Sequence, residues 1–158
     1  MKNNILPEIT NWKLREIIDY VKIVDNDSTD FKQSIIEKFH FPISSELTIS
    51  TISQSDLNWA KMNDHFNFFF DREGWEDKIK KAFESSQLRN YKRLIITYGW
   101  KEPTVSIPME IFFENWEDFI ASTQYETLMF SEDYKLVMEV SRDYHLHSNF
   151  FILSDVSK

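Results

Sequence analysis

YKRLIITYGW, residues 91–100, marks the point at which the apolar pattern of this chain changes character. It reads as a strand running into a turn at Gly99. Before it the pattern is helical. In NWKLREIIDYVKIV, residues 11–24, Asn11 is a candidate N-cap, and Leu14, Ile17, Ile18 and Val21 form an i, i+3, i+4, i+7 stripe. STDFKQSIIEKF, 28–39, follows a cap at Ser28 or Thr29, places Phe31, Ile35, Ile36 and Phe39 on one side, and is stopped by Pro42. ELTISTI, 46–52, alternates like a strand or extended link. DLNWAKMNDHFNFFF, 56–70, ends like a strand, yet Trp59, Met62, Phe66 and Phe69 fall at helical spacing, and a helix is the preferred reading. WEDKIKKAF, 75–83, then sets Trp75, Ile79, Ala82 and Phe83 on one face with its lysines outward.

After residue 91 the runs shorten. TVSI, 104–107, is extended and ends at Pro108; a helix over 115–123 follows; YETLMF, YKLVMEVS and SNFFIL read as three further strands. The first two are joined by SEDYK, 131–135, a turn rich in Ser and Asp. Short connections favour an antiparallel meander. The expected fold is therefore α+β in one domain, residues 1–158. A helical portion of about 11–85 packs on an antiparallel sheet of about 91–154. Phe66, Phe69, Ile95, Trp116, Phe119, Leu136 and Phe150 are the expected core.

Composition removes several function classes. The chain has no cysteine, so disulfides and thiolate chemistry are out, and a reducing compartment fits. Its two glycines, Gly74 and Gly99, are too few for a phosphate-cradling or dinucleotide loop, and no G-x-S-x-G elbow exists. MKNNILPEITNWK lacks the apolar run of a signal peptide, and no stretch approaches the roughly 18 apolar residues of a membrane span. The expectation is a cytoplasmic protein with no membrane contact.

Four histidines remain. In DYHLH, a strand would project Asp143, His145 and His147 from one face, a metal-like spacing. The preferred reading is polar residues near a hairpin end, with no metal and no cofactor, because a fourth ligand is missing. Glu139 and Asp143 can be drawn as an acid/base pair but read better as solvated carboxylates. The basic run from Lys78 to Arg93, opposed only by Glu84, offers Phe83, Tyr91 and Trp100 as stacking partners for nucleic acid. Its lysines suit the outer face of an amphipathic helix, and a pI near 5.0 opposes attraction to phosphate, so no nucleic-acid partner is expected.

The charge is uneven. Residues 103–158 hold 3 Lys/Arg against 10 Asp/Glu, so −7 of the net −8 lies in the last third. In FFENWEDFIAST, 112–123, an Asn115 N-cap and the helix dipole account for Glu117 and Asp118, while Trp116, Phe119 and Ile120 enter the core. The regional excess is left over, and an acidic surface steers basic partners.

SIPMEIFFENWEDFIAST, 106–123, and MFSEDYKLVMEVSRDYHLHSNFFIL, 129–153, resemble the small immunity proteins of bacterial polymorphic-toxin and contact-dependent growth inhibition systems. The resemblance lies in a W-x-x-F helix, an acidic turn and a terminal S-N-F strand, over residues 91–154. It implies a protein without enzymatic activity that binds one cognate toxin domain 1:1. Such toxins are often nucleases with basic clefts, which carboxylates would occlude. The expected contact residues are Glu114, Glu117, Asp118, Glu132, Asp133, Tyr134 and Asp143, with Tyr134 the exposed aromatic anchor. Reversing Glu132 and Asp133 to Lys is expected to slow association and leave the fold intact. The alternatives are another acidic interaction module, such as a phage-type inhibitor or adaptor, and, less favoured, a metal-dependent enzyme using His145 and His147.

Overall fold

A computed structural model describes residues 9–43, 57–98, 102–122, 127–141 and 144–154. Its centre is β3, Arg93–Thr97, the strand on which the sequence turned, and Leu94 through Thr97 are buried. Because side chains alternate along a strand, burial of successive residues requires a layer on each face. Leu94 and Ile96 belong to one apolar cluster and Ile95 to a second.

Among the described residues, seven strands form one antiparallel sheet in the order β1-β4-β3-β5-β6-β7-β2, all with antiparallel partners. They are β1, Lys22–Asp25; β2, Phe66–Phe69; β4, Thr104–Pro108; β5, Leu128–Ser131; β6, Val137–Val140; and β7, His145–Ser148. Against one face pack α1, Trp12–Glu16; α3, Glu76–Ser85; α4, Met109–Glu114; and α5, Trp116–Ala121. Phe83, Phe112, Phe119 and Trp116 form the aromatic centre of that layer, with Phe112 and Phe119 rings 5.8 Å apart. The opposite face is covered by α2, Ser28–Lys38, and by a 3₁₀ turn at Trp59–Lys61.

The α+β architecture and the β5-β6-β7 meander agree with the sequence reading; several boundaries do not. The stripe expected over 11–24 stops at Glu16, Ile18 is exposed, and Lys22–Asp25 become the β1 edge strand. Its β-branched residues alternate inward and outward along that edge. The helix expected over 56–70 is a 3₁₀ turn followed by β2. Here strand alternation prevails: Phe68 is buried and Asn67 exposed, whereas Phe66 and Phe69, expected in the core, are half-buried. The last strand is HLHS rather than SNFFIL, because Asn149 ends the pairing. Its side chain accepts from Val137 N–H at 2.9 Å and donates to the Lys135 carbonyl at 2.8 Å. The strand expected at 46–52 and the Gly99 turn lie outside the described residues.

Asn11 caps α1 as expected, accepting from Lys13 and Leu14 N–H at 3.0 Å. Asn115 does not cap α5 through its side chain. Its amide donates to the Ile111 carbonyl at the end of α4 and accepts from Lys13 Nζ at 2.9 Å. Phe119 is fully buried, so Phe119→Ala is expected to cost about 3–5 kcal/mol in chemical denaturation. A loss below about 1 kcal/mol would mean that the two-layer core is not packed around this ring.

Candidate functional site

The acidic residues divide by what they do inside the chain. Glu132 and Asp133 hold the β5–β6 turn. One Glu132 oxygen accepts from the Lys92 and Arg93 N–H groups at 3.0 and 3.2 Å. Asp133 accepts from Tyr91 Oη at 2.8 Å, Ser131 Oγ at 2.7 Å and Lys135 N–H at 3.0 Å. Partial burial works against the Asp133 charge. The bonds from Ser131, Lys135 and Tyr91 outweigh it and hold the carboxyl below its ordinary value. Tyr134 is not an open anchor: it is half-buried against Phe31, Phe39 and Phe130 at φ 62°. The expectation that Glu132 and Asp133 can be reversed without harm to the fold is therefore corrected. Asp143 lies outside the described residues.

Asp118 also has a structural partner. Buried Lys13 reaches Asp118 at 3.0 Å and pairs with Glu16. Desolvation opposes the lysine's charge, but its bonds to Glu16 and Asp118 hold its pKa above the ordinary value. Glu114 is exposed and pairs with Lys80 at 2.9 Å. Glu117 is different. Trp116 Nε1 donates to the Glu76 carbonyl at 3.2 Å and ties the start of α5 to the start of α3. That contact brings Glu76 and Glu117 together. Desolvation, then the Glu76 and Asp118 charges, push the exposed Glu117 carboxyl above its ordinary value. Here three carboxylates crowd, with Lys13 balancing one of them. Glu76 was not singled out by sequence, although its place in the first turn of an amphipathic helix was legible.

Beside this face runs a groove of about 460 Å³, lined by Glu84, Arg89, Tyr91, Lys92, Met109, Glu110, Phe113 and Glu114. Met109 and Phe113 are the buried part of its lining, and carboxylates stand with two cations on its rim. Tyr91 links the groove to the Asp133 turn. Glu114 lines this groove, the turn acids reach it only through their bonds to Tyr91 and Lys92, and Glu117 sits at the neighbouring helix ends.

His145 and His147 do share a face of β7, with ring centroids 6.3 Å apart. His147 is built into a polar stack: Nδ1 lies 2.9 Å from His65 Nε2, Nε2 lies 3.2 Å from Ser141 Oγ, and Trp59 stacks at 5.7 Å. Burial holds His65 below its ordinary pKa. Glu139, expected to be solvated, is buried instead. It accepts from Trp59 Nε1 at 2.8 Å and from Leu57 N–H at 3.4 Å, clamping the 57–61 segment over the sheet. Its phase was readable, since Glu139 shares a strand face with buried Val137. Among the described residues, no group of three or more His, Cys, Asp or Glu side chains is arranged to hold a metal ion.

Compared with known protein families and with characterised proteins, the chain matches no family model and no individual sequence. Asp133→Asn is expected to lower stability by about 1 kcal/mol at neutral pH, discounted for solvent exposure. The sign follows from a depressed folded value: the contribution is present above the ordinary carboxyl range and disappears as pH falls through the depressed value. Denaturation of the variant and wild type at neutral and acid pH checks it. An unchanged neutral-pH stability would contradict the structural role of this turn.

Proposed function

We propose that this chain is an immunity-type inhibitor, a binding protein without enzymatic activity that neutralises one bacterial toxin domain in a 1:1 complex. The partner's contact surface is basic, as in a nuclease cleft. The observation that carries this reading is the joining of the α3 and α5 starts by Trp116 Nε1 on the Glu76 carbonyl at 3.2 Å, which gathers first-turn acids of both helices on one face; desolvation first, then the Glu76 and Asp118 charges, raises the Glu117 carboxyl above its ordinary value there. Each helix dipole favours the acids in its own first turn, Glu76 on α3 and Glu117 with Asp118 on α5, and the meeting of the two helix starts adds the Glu76 charge to the surroundings of Glu117. A Lys or Arg from a partner would relieve that repulsion, and the wider −7 bias of the last third would steer its approach. The resemblance of residues 91–154 to immunity proteins points the same way.

The contact set is accordingly weighted towards Glu114 and Glu117 with Glu76, while Asp118 balances buried Lys13. Glu132, Asp133 and the half-buried Tyr134 support the turn beside the groove. The test is binding to the toxin domain encoded next to this chain. Glu76→Lys/Glu117→Lys is expected to slow association about tenfold or more at low salt and to flatten its salt dependence. Its circular dichroism should stay unchanged. The control variant neutralises Lys78 and Lys81, both exposed on α3, and should protect cells as wild type does. Loss of protection in the lysine variant with retention in the acidic one would overturn the proposal, as would a neighbouring gene product that does not bind.

A further inference from the structure

His65 and His147 meet in an arrangement that tolerates one added proton and not two. His65 Nε2 lies 2.9 Å from His147 Nδ1, the ring centroids are 5.1 Å apart, and the ring planes differ by 23°. That centroid separation is close to the largest this nitrogen distance allows, so the rings lie edge to edge and each nitrogen points straight at the other. Lone pairs aimed at each other make a hydrogen bond, whereas two ligands of one metal ion would converge on a third point. The neighbours settle where the hydrogens sit. Ser141 Oγ donates to the His145 carbonyl at 3.3 Å, so it accepts from His147 Nε2 at 3.2 Å. An imidazole with its hydrogen on Nε2 has a lone pair on Nδ1, and His65 Nε2–H donates to it.

A proton added at His65 Nδ1 leaves that bond intact. If it enters at His147 instead, His65 moves its hydrogen to Nδ1 and accepts. A second added proton sets N–H against N–H across 2.9 Å, and the bond is lost. The pair also fastens a cover. The Trp59 ring lies 5.2 Å from His65 and 5.7 Å from His147, and its indole N–H donates to buried Glu139 at 2.8 Å. Leu57 and Trp59 share an apolar cluster with Ile95, Leu128 and Val137. Among the described residues, the other titratable groups on the surrounding elements are Glu139 on β6, His145 on β7, exposed Lys61 in the 57–61 turn and exposed Asp64 beside His65 in sequence; β2 brings none. Glu139 is opposite His147 in register, so the two side chains leave the same face. Its carboxylate favours the first charge on the pair, and that charge then opposes the second.

We infer that the His65–His147 pair is an acid-released latch on the 57–65 segment, closed while the pair holds at most one added proton and opened by the second. Opening lifts Trp59 from Glu139 and bares this face of the sheet, while β3 and the helical layer stay folded. In the open segment each imidazole titrates near its ordinary value of 6.5, whereas in the closed one desolvation holds His65 lower and the second proton is excluded. The open form therefore binds more protons, and the closed form weakens as pH falls below 6.5. The latch lies on the sheet face opposite to α3 and α5, so it stands or falls independently of the Glu76–Glu117 surface.

Hydrogen exchange at the Leu57 N–H and the Trp59 indole N–H, both bonded to Glu139, reads the latch in the full chain. Rates are corrected for the intrinsic effect of pH and compared at neutral pH and at about pH 5. Wild type is expected to lose protection about tenfold or more at these two groups in acid, with the Ile95 and Ile96 amides unchanged. His65→Gln sets an amide where Nε2 stood, able to donate to His147 or accept from it in either charge state, so its loss should stay below about twofold. His145→Gln should lose protection as wild type does; if it abolishes the loss, the switch is His145 and the inference fails. Protection retained by wild type in acid overturns the latch, as does an equal loss in His65→Gln, which would place the titration at Glu139. Histidine NMR of wild type reads the pair without any variant. The two rings are expected to titrate as a coupled pair, the second proton entering well below 6.5. Two independent titrations near 6.5 would overturn the inference.

Discussion

Everything in this structure depends on β3 being buried on both sides. Leu94 and Ile96 face one layer, Ile95 faces the other, and β4 and β5 flank the strand in the plane of the sheet. A strand so enclosed cannot lie at a surface, so a helical layer and a cover over the opposite face are both obligatory. The first is supplied by α1, α3, α4 and α5. The second is assembled from α2 and the 57–61 segment, and Glu139 fastens that segment by taking the indole N–H of Trp59. Burying a carboxylate for this purpose is tolerable because donors reach it.

The same principle separates the acids that serve the fold from those that do not. Glu102 is buried and accepts the N–H groups of Thr10 and Asn11, which fixes the start of α1. Glu132 and Asp133 fasten a turn, and Asp118 balances buried Lys13. These carboxylates serve the fold, and a charge count cannot distinguish them from the rest. Glu117 serves it least: desolvation first, then the charges of Glu76 and Asp118, raises its affinity for a proton.

The sequence disclosed the sheet class, β3, the meander, α3 and the Asn11 cap, because in each the local pattern and the buried face coincide. It misled at 11–24 and 56–70, where helical spacing and strand alternation coexist in the same residues. There the choice was made by long-range pairing of β1 with β4 and β2 with β7, which no local window contains. The acidic bias was legible as a number. Its division into clamps and an exposed cluster was not, since the partners of Glu132, Glu139 and Asp118 lie 39 or more positions away in sequence.

The claim that Glu117 stands against the interest of the fold is open to a direct measurement, the pH dependence of stability of Glu117→Gln beside wild type. A raised folded pKa means that ionised Glu117 disfavours folding above that value. The penalty fades as pH falls and vanishes once both folded and unfolded chains are protonated, below the ordinary value of 4.5. The expected result is a variant more stable than wild type at neutral pH, by less than about 1 kcal/mol for so exposed a group, with the difference closing in acid. A variant less stable than wild type at neutral pH would show Glu117 to be another clamp and would contradict its assignment to a partner surface.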